Sequence, residues 1–325
     1  MRFIDPRTDF AFKKIFGSAG HEKVLISLLN AFLYEGRNEI TDIQLQDPYN
    51  VPRLKGMKDS YLDVRLRQSD GRWILVEMQV LNVPGFEKRV LYNLAKQYSN
   101  QMVKGDNYDT LDPVVALTIT DFMMFDDCPD ITSRYHLKEK KRLTSYLDDA
   151  VELVFVELPK FKKSHEEARQ LHEKWLCFLR EARNLQAVPK SLKKVPEIEE
   201  AFAIANYANL SEQEEWELMQ KLHWLSDQKK LSRMQKDAMQ NLEKSLSDLN
   251  RSETRRKQVE AQCKQVEAQR KQVEAQCKQE EAKRKQLERS LKKTALALYQ
   301  SGMTKTDICK TMAISQAQLQ ELLKS

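Results

Sequence analysis

The chain has 325 residues, with 54 Lys+Arg against 48 Asp+Glu and a net charge of +6. The excess is local, because residues 251–293 hold 14 basic and 7 acidic side chains while the rest of the chain holds 40 and 41; a uniformly basic body is thereby excluded. No run approaches the ~18 apolar residues of a membrane span, the start Met-Arg-Phe-Ile-Asp-Pro-Arg has no apolar signal region, and the five Cys (128, 177, 263, 277, 309) lack CxxC spacing, so a cytoplasmic protein with reduced thiols is expected.

Length allows about two domains. Hydrophobic content of 41% with 8% aromatics is low for a wholly globular chain and suggests a globular part joined to an elongated polar part. Residues 8–16 begin on the capping residue Thr8 and carry helical apolar spacing. Residues 22–33 form a second helix, with Val24, Leu25, Leu28, Leu29 and Phe32 on one face. Residues 61–67 and 73–80 flank Gln68-Ser69-Asp70-Gly71-Arg72, a hairpin signal. Residues 86–102 are helical, with Val90, Leu91, Leu94 and Tyr98 spaced for a core face. Residues 113–120 and 151–158 are short apolar strands. Residues 1–160 therefore form an α/β domain with a mixed sheet.

Residues 161–250 read as helices. Residues 172–182 carry Trp175, Leu176, Phe178 and Leu179, and Ser211-Glu212-Gln213-Glu214 is a capping box opening a helix. That helix places Trp216, Leu218, Met219, Leu222 and Leu225 on a core-facing stripe. Neither Gly nor Pro occurs between residues 197 and 301, so this stretch can be mostly helix.

A seven-residue repeat, Lys257-Gln-Val-Glu-Ala-Gln-Cys263, recurs from Lys264, Lys271 and, degenerately, Lys278. A coiled-coil seam through it would bury Arg270, Arg284 and Glu280. Residues 251–293 therefore read as a long solvated helix or a conditional coiled coil, through which two copies could pair. Its basic excess could also face nucleic acid. Residues 294–325 show a different pattern: a helix ending at Ser301-Gly302, a cap at Thr304, a turn at Ala313-Ile314 and a second cap at Ser315. Those joints fit a small helix-turn-helix-like tail, which either touches DNA or serves self-association.

The hairpin carries the chemistry. Asp63, Arg65 and Arg67 share one face and Leu62, Val64 and Leu66 the other, while Glu77 and Gln79 share a face on the second strand. A turn centred on Asp70 sets residue 63 opposite residue 77, with Cα atoms about 4.5–5.5 Å apart. Like charges so placed are destabilising unless neutralised, and hard carboxylate oxygens suit Mg²⁺. A cation held there can polarise a phosphodiester and lower the pKa of a bound water, with a polar group two residues after the second acid orienting that water. Two acids on a solvated face are the alternative reading of the same spacing. His165 and His172, seven apart, and His21 beside Glu22 do not make zinc spacing.

Asp63 followed by Glu77-Met78-Gln79 on a strand–turn–strand unit resembles the PD-(D/E)XK nuclease signature. With Thr8-Asp9-Phe10-Ala11-Phe12-Lys13-Lys14-Ile15-Phe16-Gly17, Arg89-Val-Leu-Tyr92, Tyr98-Ser-Asn-Gln101 and Gly105-Asp-Asn-Tyr108, the chain resembles the recombination-promoting nuclease/putative transposase family of that superfamily. The resemblance covers residues 1–160 and extends toward 225. It implies a restriction-endonuclease-like mixed sheet flanked by helices and an Mg²⁺- or Mn²⁺-dependent DNA endonuclease serving recombination, transposition or defence. It implies Asp63, Glu77 and the Met78 carbonyl as metal ligands, Gln79 in the usual lysine place, and Asp9 brought to the site by the first helix. Lys13, Arg65, Tyr92 and Gln101 are the implied substrate contacts. Gln79 departs from the general signature, since Gln carries no charge but can still hydrogen-bond water or phosphate. A nuclease fold that has lost catalysis and binds DNA or protein is the rival reading.

Overall fold

In the computed structural model, which describes residues 2–50, 60–147 and 150–324, the first helix starts where its cap demands. The Thr8 hydroxyl accepts the Ala11 N–H, and helix α1 (Asp9–Phe16) buries Ala11, Phe12, Ile15 and Phe16. Helix α2 (Glu22–Leu33) follows and buries Val24, Leu25, Leu28, Leu29 and Phe32. The chain divides into two compact units, Met1–Arg233 and Met234–Ser325.

The first unit is built on a six-stranded sheet. Its strands are β1 (Ile43–Gln46), β4 (Val64–Gln68), β5 (Trp73–Gln79), β6 (Val114–Thr120), β8 (Val151–Glu157) and β7 (Thr132–His136), in that spatial order. Strands β5, β6 and β8 are parallel, and β1, β4 and β7 run antiparallel to their neighbours. Strands β2 (Tyr49–Asn50) and β3 (Ser60–Tyr61) form a separate antiparallel ladder. Alternation along the strands sends side chains to two cores. Ile74, Val76 and Met78 join Val115, Leu117, Ile119, Val154 and Val156 in the larger core, under α1, α2, α4 (Leu171–Glu181) and α5 (Pro196–Ile204). Leu75, Val114, Ala116 and Phe155 face helix α3 (Phe86–Ser99), which supplies Phe86, Val90 and Leu94. The strand β6, fully buried along its length, reads as a continuous apolar run because helices cover both faces. This is the expected mixed sheet flanked by helices.

The hairpin register is the expected one as far as the ladder runs, with Val64 paired to Val76, Leu66 to Ile74 and Arg67 to Trp73, but it ends there, and the expected pairing of residue 63 with residue 77 is not part of it. Gly71 turns the loop at φ +97, a backbone conformation that strains any residue with a Cβ, and an added Cβ would also have to displace the Asp112 carboxylate, 2.7 Å away. One expectation of facing fails. Val64 and Leu66 enter the larger core, but Leu62 lies with α3 in the other. The chain bends at Asp63, which breaks the alternation between residues 62 and 64.

Two further expectations are corrected by packing. Leu91 is 55% exposed, so the core stripe of α3 is Phe86, Val90 and Leu94. On the long helix α6 (Glu212–Gln300), Leu218 is buried but Trp216 and Met219 are 65% and 48% exposed. Near the end of α6, Ala295 is buried. Strands β1 and β7 have no counterpart in the sequence reading. Both are edge strands, β1 short with alternating Ile, Gln, Leu and Gln and β7 polar at most positions, so pairing with their neighbours holds them.

Helix α4 opens with a capping box between Gln170 and Glu173. Burial pushes the Glu173 carboxyl up, but Lys163 and the N–H groups of Gln170 and Arg169 outweigh it and hold its pKa at about 2, against an ordinary 4.5. A depressed carboxyl stabilises the fold above its ordinary pKa and loses that contribution as pH falls through its folded value. Glu173→Gln should therefore lower stability at neutral pH and shrink the loss of Tm between pH 4.5 and 2, read by thermal melts across that window.

In the second unit, the repeat places Glu four residues before Lys in every copy. Glu260–Lys264, Glu267–Lys271, Glu274–Lys278 and Glu281–Lys285 form ion pairs at 3.1, 3.0, 3.3 and 3.6 Å. Each such pair, in the favourable Glu-first order, supports the helix by about 0.2–0.5 kcal/mol. The end of α6 packs with α7 (Lys305–Met312) and α8 (Gln316–Leu323) around Ala295, Ile308 and Leu319. Thr304 and Ser315 cap α7 and α8 as expected, and Ala313 ends α7 in the left-handed region at φ +51. Among the described residues, no helix is long and apolar enough to cross a membrane.

Candidate active site

The bend at Asp63 positions its carboxylate. Backbone groups along β5 alternate between neighbours: the N–H of Trp73 and the C=O of Gln79 turn toward the β6 side, bonding Pro113 and Asp121. Met78, of the other parity, turns toward β4, which has bent away at this level. Its N–H is taken instead by Asp63 Oδ2 at 2.7 Å. A buried backbone donor needs a partner, so the bend and the acid belong to one local solution.

Glu77 and Gln79 follow Leu75 on the α3 face, at the carboxyl end of β5, where ligands bind in open α/β sheets. The side chains of Asp63 and Glu77 are only 10% and 12% exposed. Cations lie against both. Arg89 Nη2 on α3 donates to Glu77 Oε1 and, at 2.8 Å, to Gln79 Oε1. Lys13 Nζ stands 2.7 Å from Asp9 Oδ1 and 3.7 Å from Asp63 Oδ1. Lys221 Nζ, from α6, is 3.0 Å from Asp9 Oδ2.

Burial drives the Asp63 carboxyl well above its ordinary range, and its hydrogen bond with Asp9 adds to the rise, while the Met78 N–H opposes it. Burial also pushes Asp9 upward, but the hydrogen bond from Asp63 and the ammonium groups of Lys13 and Lys221 hold it below the usual carboxylate range. The two neighbouring acids are thus pushed in opposite directions, Asp63 upward and Asp9 downward, because like charges this close resist ionising together. Burial raises Glu77 as well, with Arg89 opposing. Ionising both Asp63 and Glu77 therefore costs free energy in the absence of a further cation, the electrostatic condition that favours binding one.

The donor chemistry fits a hard divalent ion. Mg²⁺ is commonly held by one or two carboxylates, with waters completing the shell. Asp63 and Glu77 supply that number, and the Met78 C=O turns to the same side as its N–H. Among the described residues, no three His, Cys, Asp or Glu side chains cluster for one ion, so the fit is to a two-carboxylate site rather than to an all-protein cage.

A cavity of about 930 Å³ opens over these groups, lined by Asp9, Lys13, Asp63, Glu77, Met78, Gln79, Arg89, Tyr92, Asn93 and Lys221, among others. Seven of the nine site residues expected from the sequence thus meet in one place. Arg65 and Gln101 do not line it. Arg65 Nε donates to Gln97 Oε1 at 2.9 Å, and its guanidinium stacks 4.7 Å from the Trp73 ring. Gln101 exchanges two hydrogen bonds of 2.9 Å with the Asp112 backbone. Both brace α3 and its exit loop against the sheet.

Sequence reasoning missed Lys221, Asn93 and the contact role of Arg89. Lys221 comes from a helix more than 200 residues beyond Asp9, and no local pattern announces it. Asn93 is 2% exposed, and neither its Oδ1 nor its Nδ2 has a hydrogen-bond partner. The signal for Arg89 and Asn93 was their i, i+4 spacing, which puts both on one edge of α3.

The mixed α/β core, with an acid pair where a parallel strand ends and a helix closing over it, has the architecture of the PD-(D/E)XK class. The model of the PD-(D/E)XK nuclease family transposase matches residues 6–235, and the chain belongs to that family. No curated protein and no solved structure matches it.

Proposed function

We propose that the chain is a divalent-metal-dependent DNA endonuclease that hydrolyses phosphodiester bonds in the cytoplasm, in recombination, transposition or defence. The observation that carries this reading is the near-buried Asp63–Glu77 pair at the carboxyl end of β5, neutralised by cations and open to a 930 Å³ cavity. Asp63, Glu77 and the Met78 carbonyl would hold Mg²⁺ or Mn²⁺. When bound, such a cation polarises the phosphodiester and acidifies water at neutral pH. Gln79 orients the attacking water through its amide, and Asp9 holds Lys13 and Lys221 at the rim, where their ammonium groups meet phosphate oxygens. Tyr92 lines the wall that the substrate passes.

A plasmid-nicking assay with Mg²⁺ or Mn²⁺ tests the reading, with cleavage expected for the wild type and lost with chelator. DNA binding without cleavage under every divalent ion would overturn it in favour of a binding module built on a nuclease fold.

In this proposal the segments 161–250, 251–293 and 294–325 serve access and assembly, and residues 234–325 pair with a second copy. Val259, Val266, Val273 and Leu287 recur at multiples of seven and are 53–63% exposed, the seam a weak coiled coil would cover. Sedimentation equilibrium should show a concentration-dependent dimer that is lost when residues 234–325 are removed; a monomer at all concentrations would refute the pairing.

A further inference from the structure

The third position of the motif, Gln79, carries no charge, and Lys13 and Lys221 stand on the Asp9–Asp63 side of the site, which leaves the Glu77–Gln79 side without a cation from the sheet. The geometry points to Arg89 as that cation, delivered from α3 rather than from the sheet. This inference rests on the nuclease reading.

Arg89 bridges the two side chains that matter, with Nη2 donating to Glu77 and, at 2.8 Å, to Gln79. Five N–H donors in a rigid fork leave several free for a phosphate. The side chain is 43% exposed on the cavity wall. Its guanidinium lies 5.1 Å from the ring of Phe86, which is 2% exposed, so a fixed aromatic surface holds the charged head at the edge of the cavity. Gln79 Nε2 is held by the Leu81 carbonyl at 2.7 Å, which leaves Gln79 Oε1 aimed at Arg89. An acceptor at this position therefore orients the guanidinium where a lysine would repel it.

Two functions follow for one side chain. In the resting protein Arg89 neutralises Glu77 and competes with a divalent cation for it. Released from Glu77, it stays tethered to Gln79 and binds a non-bridging phosphate oxygen, where it stabilises the charge of the transition state.

The two functions predict effects of opposite sign, which a structural role does not. In the full-length protein, Arg89→Ala and Arg89→Met should bind Mn²⁺ about tenfold more tightly by calorimetry, because the competitor is gone. The same variants should nick plasmid about 10²–10³-fold more slowly, the usual loss for one donor to a developing oxyanion, with the fall in kcat rather than in KM. Arg89→Met keeps an unbranched apolar side chain on α3 and controls for folding. Arg89→Ala combined with Gln79→Lys should regain at least about tenfold of the lost rate. Unchanged or weaker Mn²⁺ binding in both single variants, or cleavage at the wild-type rate, overturns the assignment. If that occurs while the wild type cleaves and Asp63→Ala does not, the nuclease reading stands and the role of Arg89 alone falls. A wild type that never cleaves overturns both.

Discussion

Glu77→Ala is expected to lower metal-dependent plasmid nicking by at least about a thousandfold, the scale of removing a group that acts as part of a unit. Glu77 is one of two near-buried carboxylates, and its loss leaves Arg89 with only Gln79 to hold. The same variant should lose heat on titration with Mn²⁺. Asp63→Ala should match it in both assays and add a structural cost, because the Met78 N–H loses its acceptor; an unmet buried donor costs about 1–3 kcal/mol. The double variant should be little worse than either single one, since both act through one cation. Wild-type nicking by either variant would sink the assignment of the pair.

Trp175→Ala is expected to destabilise the first unit by about 3–5 kcal/mol, the range for truncating a buried aromatic residue. Trp175 is fully buried, its ring lies 5.7 Å from Phe16 and 5.6 Å from Phe178, and its Nε1–H donates to Ser27 Oγ at 3.2 Å. It thereby ties α4 to α1 and α2, and α1 carries Asp9 and Lys13. A urea melt measures the loss as a lower midpoint. Because the site depends on the placement of α1, nicking should fall at temperatures where the variant is still folded by circular dichroism. A change below 1 kcal/mol would show that α4 is not integral to this core.

The local elements were legible wherever one physical rule dominated. Thr8 and Ser211 start helices because a hydroxyl satisfies an otherwise unpaired N–H. The hairpin register followed from the turn alone, because antiparallel pairing from a known centre has no freedom left. Facing was legible only while alternation held: Leu62 fell on the wrong side because Asp63 bends the strand. Trp216 and Met219 looked like core residues because spacing gives a face of a helix but not whether anything covers it. The edge strands β1 and β7 were invisible for the converse reason, since their pairing comes from neighbours distant in the chain.

For the site, the sequence by itself determined the register from Val64–Val76 inward and that Glu77 and Gln79 share a face of the second strand, because these facts depend on a turn and a period of two; the bend at Asp63, which replaces the expected pairing with Glu77 by a side-chain bond to Met78, was not encoded in that spacing. The charge of +6 is likewise a property of the repeat, readable without coordinates. Only the tertiary structure decided the electrostatics. Burial of the two acids raises their pKa values, and that burial is made by α1, α3 and the start of α6 closing over one end of β5. The cations that answer them, Lys13, Arg89 and Lys221, come from those three helices. Their distances from the acids are set by packing, which no local spacing encodes.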